Sequence, residues 1–397
     1  MTDFARTKAL FAIPDGVVYL DGNSLGPPLR GVAARLSRVV EEEWGGDLIR
    51  AWNTRGWMAM PAASGDRIAR LIGAPAGSVT MGDTLSIKVF QALAAALAMR
   101  PDRRVILSDT GNFPTDLYMA QGLIGLKDAG YRLVTVAPEN VEAALDDTVA
   151  AMMLTEVDYR TGRLHDMARL TRAAHRAGAV AIWDLAHSAG ALPVGIAEHD
   201  AEFAVGCTYK YLNGGPGAPA FIYVRPDLAA AARPALSGWI GHAAPFAFEP
   251  GYRPAPGVER MRVGTPPILA LAALDAALDA FDGVDMADVR RRSIELSGAF
   301  VAAVARAAPG LELASPRDPA ARGSQVSFRH PQAYAVMQAL IERGVIGDVR
   351  APDVLRFGFA PLYLDLDDAE RGAAILGEIL ASGAWREPRF SVRAAVT

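Results

Sequence analysis

Apolar positions along this chain follow two alternating rhythms. Short continuous runs, rich in β-branched residues, occupy 105–108, 133–136, 150–154, 180–183 and 203–207, and Ala-rich stretches with helical spacing lie between them. Continuous apolar strands alternating with helices predict a mainly parallel sheet buried on both faces, so the class is α/β. Upstream, residues 31–44 place Ala33, Leu36, Val39 and Val40 on one side, which predicts a surface helix. Helical spacing also covers 87–99, 267–281, 286–307 and about 367–381, with a strand-like run at 324–328, and predicts a smaller C-terminal domain. Residues 238–260, rich in Gly and Pro, read as a connector or interface loop. The chain carries no internal repeat and no low-complexity tract.

Composition narrows the function classes. With 397 residues, 51% of them hydrophobic and 21% charged, the chain can bury a large core in two or three domains. A net charge of -4 offers no basic field to a nucleic-acid backbone, so nucleic acid is not an expected partner. The first 21 residues carry Asp3, Arg6, Lys8 and Asp15 without a long apolar core, unlike a signal peptide. The longest apolar stretch, 89–99, falls short of the roughly 20 residues a bilayer requires. The expectation is a cytoplasmic enzyme with no membrane partner. Cys207 is the only cysteine, which excludes an intramolecular disulfide and a zinc site on paired thiolates. Histidines and carboxylates show no ligand spacing, so no metal is expected.

The candidate chemistry lies at strand ends, where parallel sheets place active residues. The run at 180–183 leads into Asp184-Leu185-Ala186-His187, and the run at 203–207 leads into Thr208-Tyr209-Lys210, with Lys210 26 residues beyond Asp184. A lysine there can form an imine with the aldehyde of pyridoxal 5'-phosphate (PLP), and a carboxylate there can keep the pyridine nitrogen protonated. Taken singly, Asp184 could cap a turn and Lys210 could be a solvated lysine. Together, and followed by the flexible Gly214-Gly215-Pro216-Gly217, they point to PLP. A phosphate needs backbone N–H groups at a helix start with hydroxyls nearby, and Gly82-Asp83-Thr84-Leu85-Ser86 ahead of helix 87–99 offers that. The same pattern also suits a plain helix cap. Asn112-Phe113-Pro114-Thr115-Asp116 sits past another strand, where Phe113 could stack on a pyridine ring or simply fill core.

These motifs in order resemble the kynureninase family, PLP enzymes of the aspartate aminotransferase-like fold (fold type I). The resemblance runs through most of the chain: Leu20 to Gly26, Phe113 to Asp116, Trp183 to His187, Thr208 to Gly215, Gly238 to His242, Arg262 to Pro267 and Arg356 to Tyr363. It implies a large PLP-binding domain with a mainly parallel sheet over 51–265. A smaller α+β domain would comprise 266–397 together with the N-terminal segment 1–50. It further implies hydrolytic Cβ–Cγ cleavage of L-kynurenine, with 3-hydroxykynurenine as a second candidate substrate, in tryptophan catabolism.

Carried onto individual residues, the resemblance makes Lys210 the Schiff-base lysine and Asp184 the partner of the pyridinium nitrogen. Leu85 and Ser86 would bind the phosphate, Tyr209 would donate to it and relay a proton, and Phe113 would cover the ring. Pro114, Thr115, Asp116, Thr155 and His187 would line the cofactor site. Trp239 and Thr265 would reach the site of a second subunit, which implies a homodimer with shared active sites. Arg356 would pair in bidentate fashion with the substrate α-carboxylate, a task suited to the guanidinium fork. Gly264 and Thr265 depart from some family members beside the substrate's aryl group, and Trp52-Asn53-Thr54 is a further candidate for that pocket. The rivals are a cysteine desulfurase-like lyase, which needs a thiol on a mobile loop where Cys207 sits on a strand, an aminotransferase, and a silent PLP-binding protein.

Overall fold

The computed structural model describes residues 1–394. Its centre is a seven-stranded sheet in the order Val79–Met81, Phe221–Val224, Phe203–Gly206, Val180–Asp184, Val149–Thr155, Val105–Asp109, Arg132–Val136. Phe221–Val224 runs antiparallel to both neighbours, and the remaining pairs are parallel. The α/β expectation holds, and the five predicted strands fall within two residues of their expected bounds. Val79–Met81 and Phe221–Val224 are additional strands.

The continuity of these apolar runs has a direct cause. Successive side chains of a strand point to opposite faces, and here both faces are covered. Val105, Leu107, Met152 and Leu154 join one core, while Ile106, Ala151, Met153 and Ile182 join the other with Leu93 and Leu97 of helix Leu85–Met99. Only the edge strand Arg132–Val136 shows partial exposure.

The C-terminal unit has a four-stranded antiparallel sheet ordered Asp348–Arg350, Val354–Gly358, Gln325–Arg329, Glu312–Leu313. Helices Met286–Ala307 and Leu366–Ser382 pack on each other beside it, and Phe300 meets Phe357 and Phe359 at ring separations of 5.0 and 5.2 Å. The N-terminal strand Val18–Tyr19 pairs in parallel with Val345–Ile346, which joins the start of the chain to this unit. Helix Ile268–Leu278 packs instead against Met60–Ile72 and Gly31–Arg38.

Two details depart from regular geometry. The surface helix expected over 31–44 is α-helical over Gly31–Arg38 and π-helical over Val39–Trp44. The wider turns bring Glu43 inward, where it accepts hydrogen bonds from Arg35 and from the indole of Trp57, both at 2.7 Å. The connector at 238–260 is a chain of short 3-10 turns, including Trp239–Gly241 and Pro245–Ala247.

Candidate active site

Parallel strands deliver their C-terminal ends to one rim of the sheet, and the chemistry collects there. Thr155 and Asp184 end adjacent strands in register, and Lys210 follows the next strand over. The Lys210 ammonium lies 3.0 Å from His187 Nε2 and 5.8 Å from the centre of the Phe113 ring. Burial, reinforced by Lys210 and Arg356, holds His187 well below its usual range. The ring is therefore neutral, and Nε2 accepts from Lys210.

Asp184 is buried, with one carboxylate oxygen accepting from the Ala186 amide at 2.8 Å and the other 3.4 Å from the Thr155 hydroxyl. That hydroxyl has a single proton, and it is directed to Asn112 Oδ1. Asn112 is itself fixed, since its amide group donates to Ser108 Oγ at 2.9 Å and its carbonyl accepts from Phe113 N at 2.7 Å. Asp184 Oδ2 consequently remains available to another donor. Asp116, on the first turn of helix Pro114–Lys127, is also buried, and its Oδ2 has no hydrogen-bond partner among the described residues. Burial raises both carboxyls above the usual carboxylate range, Asp116 strongly because Asp184 adds to the effect, while Lys210 opposes the rise in both. Two buried carboxyls, one with an unpartnered oxygen and the other with only a long contact to Thr155 on Oδ2, opposite a lysine and an aromatic face, fit the protonated nitrogen of a pyridine ring.

Helix Leu85–Met99 starts two residues earlier than its periodicity suggests, so Leu85 and Ser86 form its first turn, where N–H groups lack intrahelical partners. Thr84 caps it, with its hydroxyl accepting from Ile87 N at 3.5 Å. Tyr209 stands beside Lys210, and burial raises its hydroxyl above the usual phenol range. Burial likewise raises the Cys207 thiol, leaving it protonated rather than nucleophilic.

Arg356 departs from expectation. It is buried, and its bidentate pair is already made with Asp348, which accepts from Nε at 2.7 Å and from Nη2. Nη1 donates to Tyr159 O at 2.6 Å and Nη2 to Ser24 Oγ at 2.8 Å. Four of the five N–H groups are thereby engaged, and one is left for an incoming carboxylate. Arg350 lies alongside, 2.9 Å from Asp348. Burial raises Asp348, yet Arg356 and Arg350 outweigh it and hold the carboxyl below its usual range. A cavity of about 540 Å³ adjoins this cluster, its lining including Asp21, Ser24, Asp348 and Arg350. Asp348 and Asn112 were not among the sequence-derived site residues. The strand register that sets Asp348 opposite Arg356 was the signal for the first.

Other expected residues lie apart. Trp239 and Thr265 are exposed, and the Trp239 ring meets Phe246 edge-on at 5.6 Å. Trp52 packs edge-on against Trp57 at 5.5 Å. Among the described residues, no group of His, Cys, Asp and Glu is placed to hold a metal.

A mainly parallel seven-stranded sheet, with a lysine and an aspartate at adjacent strand ends and a helix start nearby, defines the aspartate aminotransferase-like class of PLP enzymes. Solved structures share the fold. A cysteine desulfurase from Thermococcus onnurineus matches with a TM-score of 0.80 at 18% identity, over 96% of this chain and 99% of that one. A cysteine desulfurase from Escherichia coli matches with a TM-score of 0.80 at 20% identity, over 96% and 99%. Sequence relatives are more specific. Kynureninase from Pseudomonas fluorescens is 50% identical over 99% of this chain and 96% of its own length, and kynureninase from Burkholderia pseudomallei is 52% identical over the same shares. Residues 289–376 match the kynureninase C-terminal domain family. The chain belongs to the kynureninase family.

Proposed function

We propose that this chain is a PLP-dependent hydrolase that cleaves the Cβ–Cγ bond of L-kynurenine with water, giving anthranilate and L-alanine. The observation that carries this reading is the convergence of Lys210, Asp184 and Asp116 on one buried rim, with Arg356 close enough for its charge to act on His187. When bound, the cofactor supplies an electron sink for carbanions at Cα and Cβ. Lys210 would hold the cofactor aldehyde and would serve as the base that takes the substrate's α-proton. Asp184 and Asp116 would keep a proton on the pyridine nitrogen. Leu85 and Ser86 would bind phosphate, Phe113 would cover the ring, and Pro114, Thr115, Thr155 and His187 would line the pocket.

Arg356 binds the α-carboxylate. Its one free N–H makes the contact, beside a Ser24 hydroxyl that is itself held by Asp348. Arg350 adds charge at the cavity wall. Tyr209 relays a proton to Cβ as the Cβ–Cγ bond breaks and the acyl carbon retains the oxygen of water. A desulfurase reading lacks its thiol, because the only cysteine is buried and protonated.

We further propose a cytoplasmic homodimer in which Trp239 and Thr265 complete the partner's phosphate site. The exposure of both residues supports this, as does the exposed aromatic cluster of Trp239, Phe246 and Phe248. No helix among the described residues is long and apolar enough to cross a membrane. Incubation with PLP and L-kynurenine should generate anthranilate fluorescence. Its absence, with PLP demonstrably bound, would overturn the substrate and spare the cofactor. Mixing Lys210→Ala with Trp239→Ala should restore activity in hybrid dimers, and no restoration would refute sharing.

A further inference from the structure

Lys88 is a fully buried cation that the reaction does not use. It lies one turn into helix Leu85–Met99, and its ammonium donates to Asp83 Oδ2 at 3.1 Å, Gln91 Oε1 at 3.0 Å and Met261 O at 2.9 Å. All three donors are thereby satisfied. Burying an ammonium costs several kcal/mol unless its geometry is good, and a methionine would fill the same space without that cost. The contacts that offset it all fall on elements flanking the phosphate cradle.

Asp83 sits in a left-handed conformation with φ of 56°, uncommon outside glycine, directly before the capping residue Thr84. Gly82 N donates to Ala220 O and Ala220 N to Asp83 O, both at 3.0 Å, so the turn is also tied to the sheet. Met261 precedes Arg262, whose guanidinium pairs with Glu259 at 2.8 Å, and Glu259 accepts from Thr80 at 2.8 Å. That segment leads to Thr265. One buried ammonium thus links the turn that aims the Leu85 and Ser86 N–H groups to the strap that presents Thr265.

We propose that Lys88 is a positioning residue for the cofactor's phosphate, holding the strained Asp83 turn and the Met261 segment in the arrangement that receives a phosphate dianion. The inference rests on the assignment of Leu85 and Ser86 as the phosphate cradle. It predicts a loss selective for phosphate. The apo protein is titrated with PLP and with pyridoxal, which lacks the phosphate, and its thermal melting is recorded. Lys88→Met should weaken PLP binding about tenfold, the scale of a hydrogen bond to a charged group. Pyridoxal affinity should stay within twofold, while the apo melting temperature falls modestly because Gln91 Oε1 loses its donor. Asp83→Ala, which removes the same tie but strands the buried Lys88 charge and so lowers the melting temperature, should reproduce the selective loss and decides the matter if Lys88→Met does not fold. Asp83→Asn, which tolerates the left-handed turn and still accepts from Lys88, should restore most of the affinity. Equal losses for PLP and pyridoxal, or unchanged PLP binding in both Lys88→Met and Asp83→Ala, would overturn the proposal. Failure of the unaltered protein to bind PLP would instead refute the cofactor assignment.

Discussion

Gly26 controls the position of Lys210 from the opposite end of the sequence. Its amide donates to Tyr209 O at 2.7 Å, and a Cβ built on it would stand 2.3 Å from both Asn213 Oδ1 and Lys210 O. Ordinary contacts between such atoms begin near 3.3 Å, so Gly26→Ala requires a displacement of about 1 Å. Neither side gives freely. Lys210 O already accepts from Asn213 N at 2.9 Å, and Asn213 has φ of 58°. Overpacking of this kind costs about 1–3 kcal/mol in stability. The larger effect should be catalytic, because a misplacement of about 1 Å at a reacting group costs on the order of 100-fold in rate. Anthranilate fluorescence gives kcat, absorbance gives cofactor content, and thermal melting gives stability. If kcat for Gly26→Ala stays within about threefold of the unaltered protein, the steric reasoning is wrong.

Other expectations can be checked alongside. Lys210→Ala should lower kcat by more than about 10³-fold and leave the melting temperature nearly unchanged, since the side chain is only half-buried. Arg356→Lys should raise KM for L-kynurenine more than about tenfold, because an ammonium cannot reproduce the planar fork. Asp348→Ala strands the buried Arg356 charge and should cost about 3–5 kcal/mol in denaturant unfolding. Glu156 provides a pH test: burial raises its carboxyl to about 8 from an ordinary 4.5. The folded state therefore holds that proton more tightly, so this contribution to stability is complete below pH 4.5 and is lost as pH rises through 8. Glu156→Gln should flatten apo stability across that window, and an unchanged slope would show that Glu156 is ionised throughout.

The long parallel strands were legible because burial on both faces leaves no polar alternation, as in Val149–Thr155. Val79–Met81 is too short to stand out from loop sequence and is fixed by pairing with Phe221–Val224, which is itself a continuous apolar run as long as Phe203–Gly206. Asp184 and Lys210 were readable since each lies within three residues past an apolar run. The carboxyl pairing of Asp116 with Asp184 was not, because it joins separate strand ends. Asp348 and Arg356 are only eight residues apart, yet only the register of their antiparallel strands shows that they face each other. Lys88 lay concealed within a helical pattern, where a cation normally marks the solvent side.

The pairing of Val18–Tyr19 with Val345–Ile346 also bears on biosynthesis. The segment that packs on the Lys210 turn is translated first, but its strand partner emerges only after more than 300 further residues. At a ribosomal speed of about 5–20 residues per second, that delay lasts on the order of tens of seconds. The large sheet can form in the meantime with its reactive rim uncovered, so the emergence of Val345–Ile346 decides when a nascent chain becomes an enzyme.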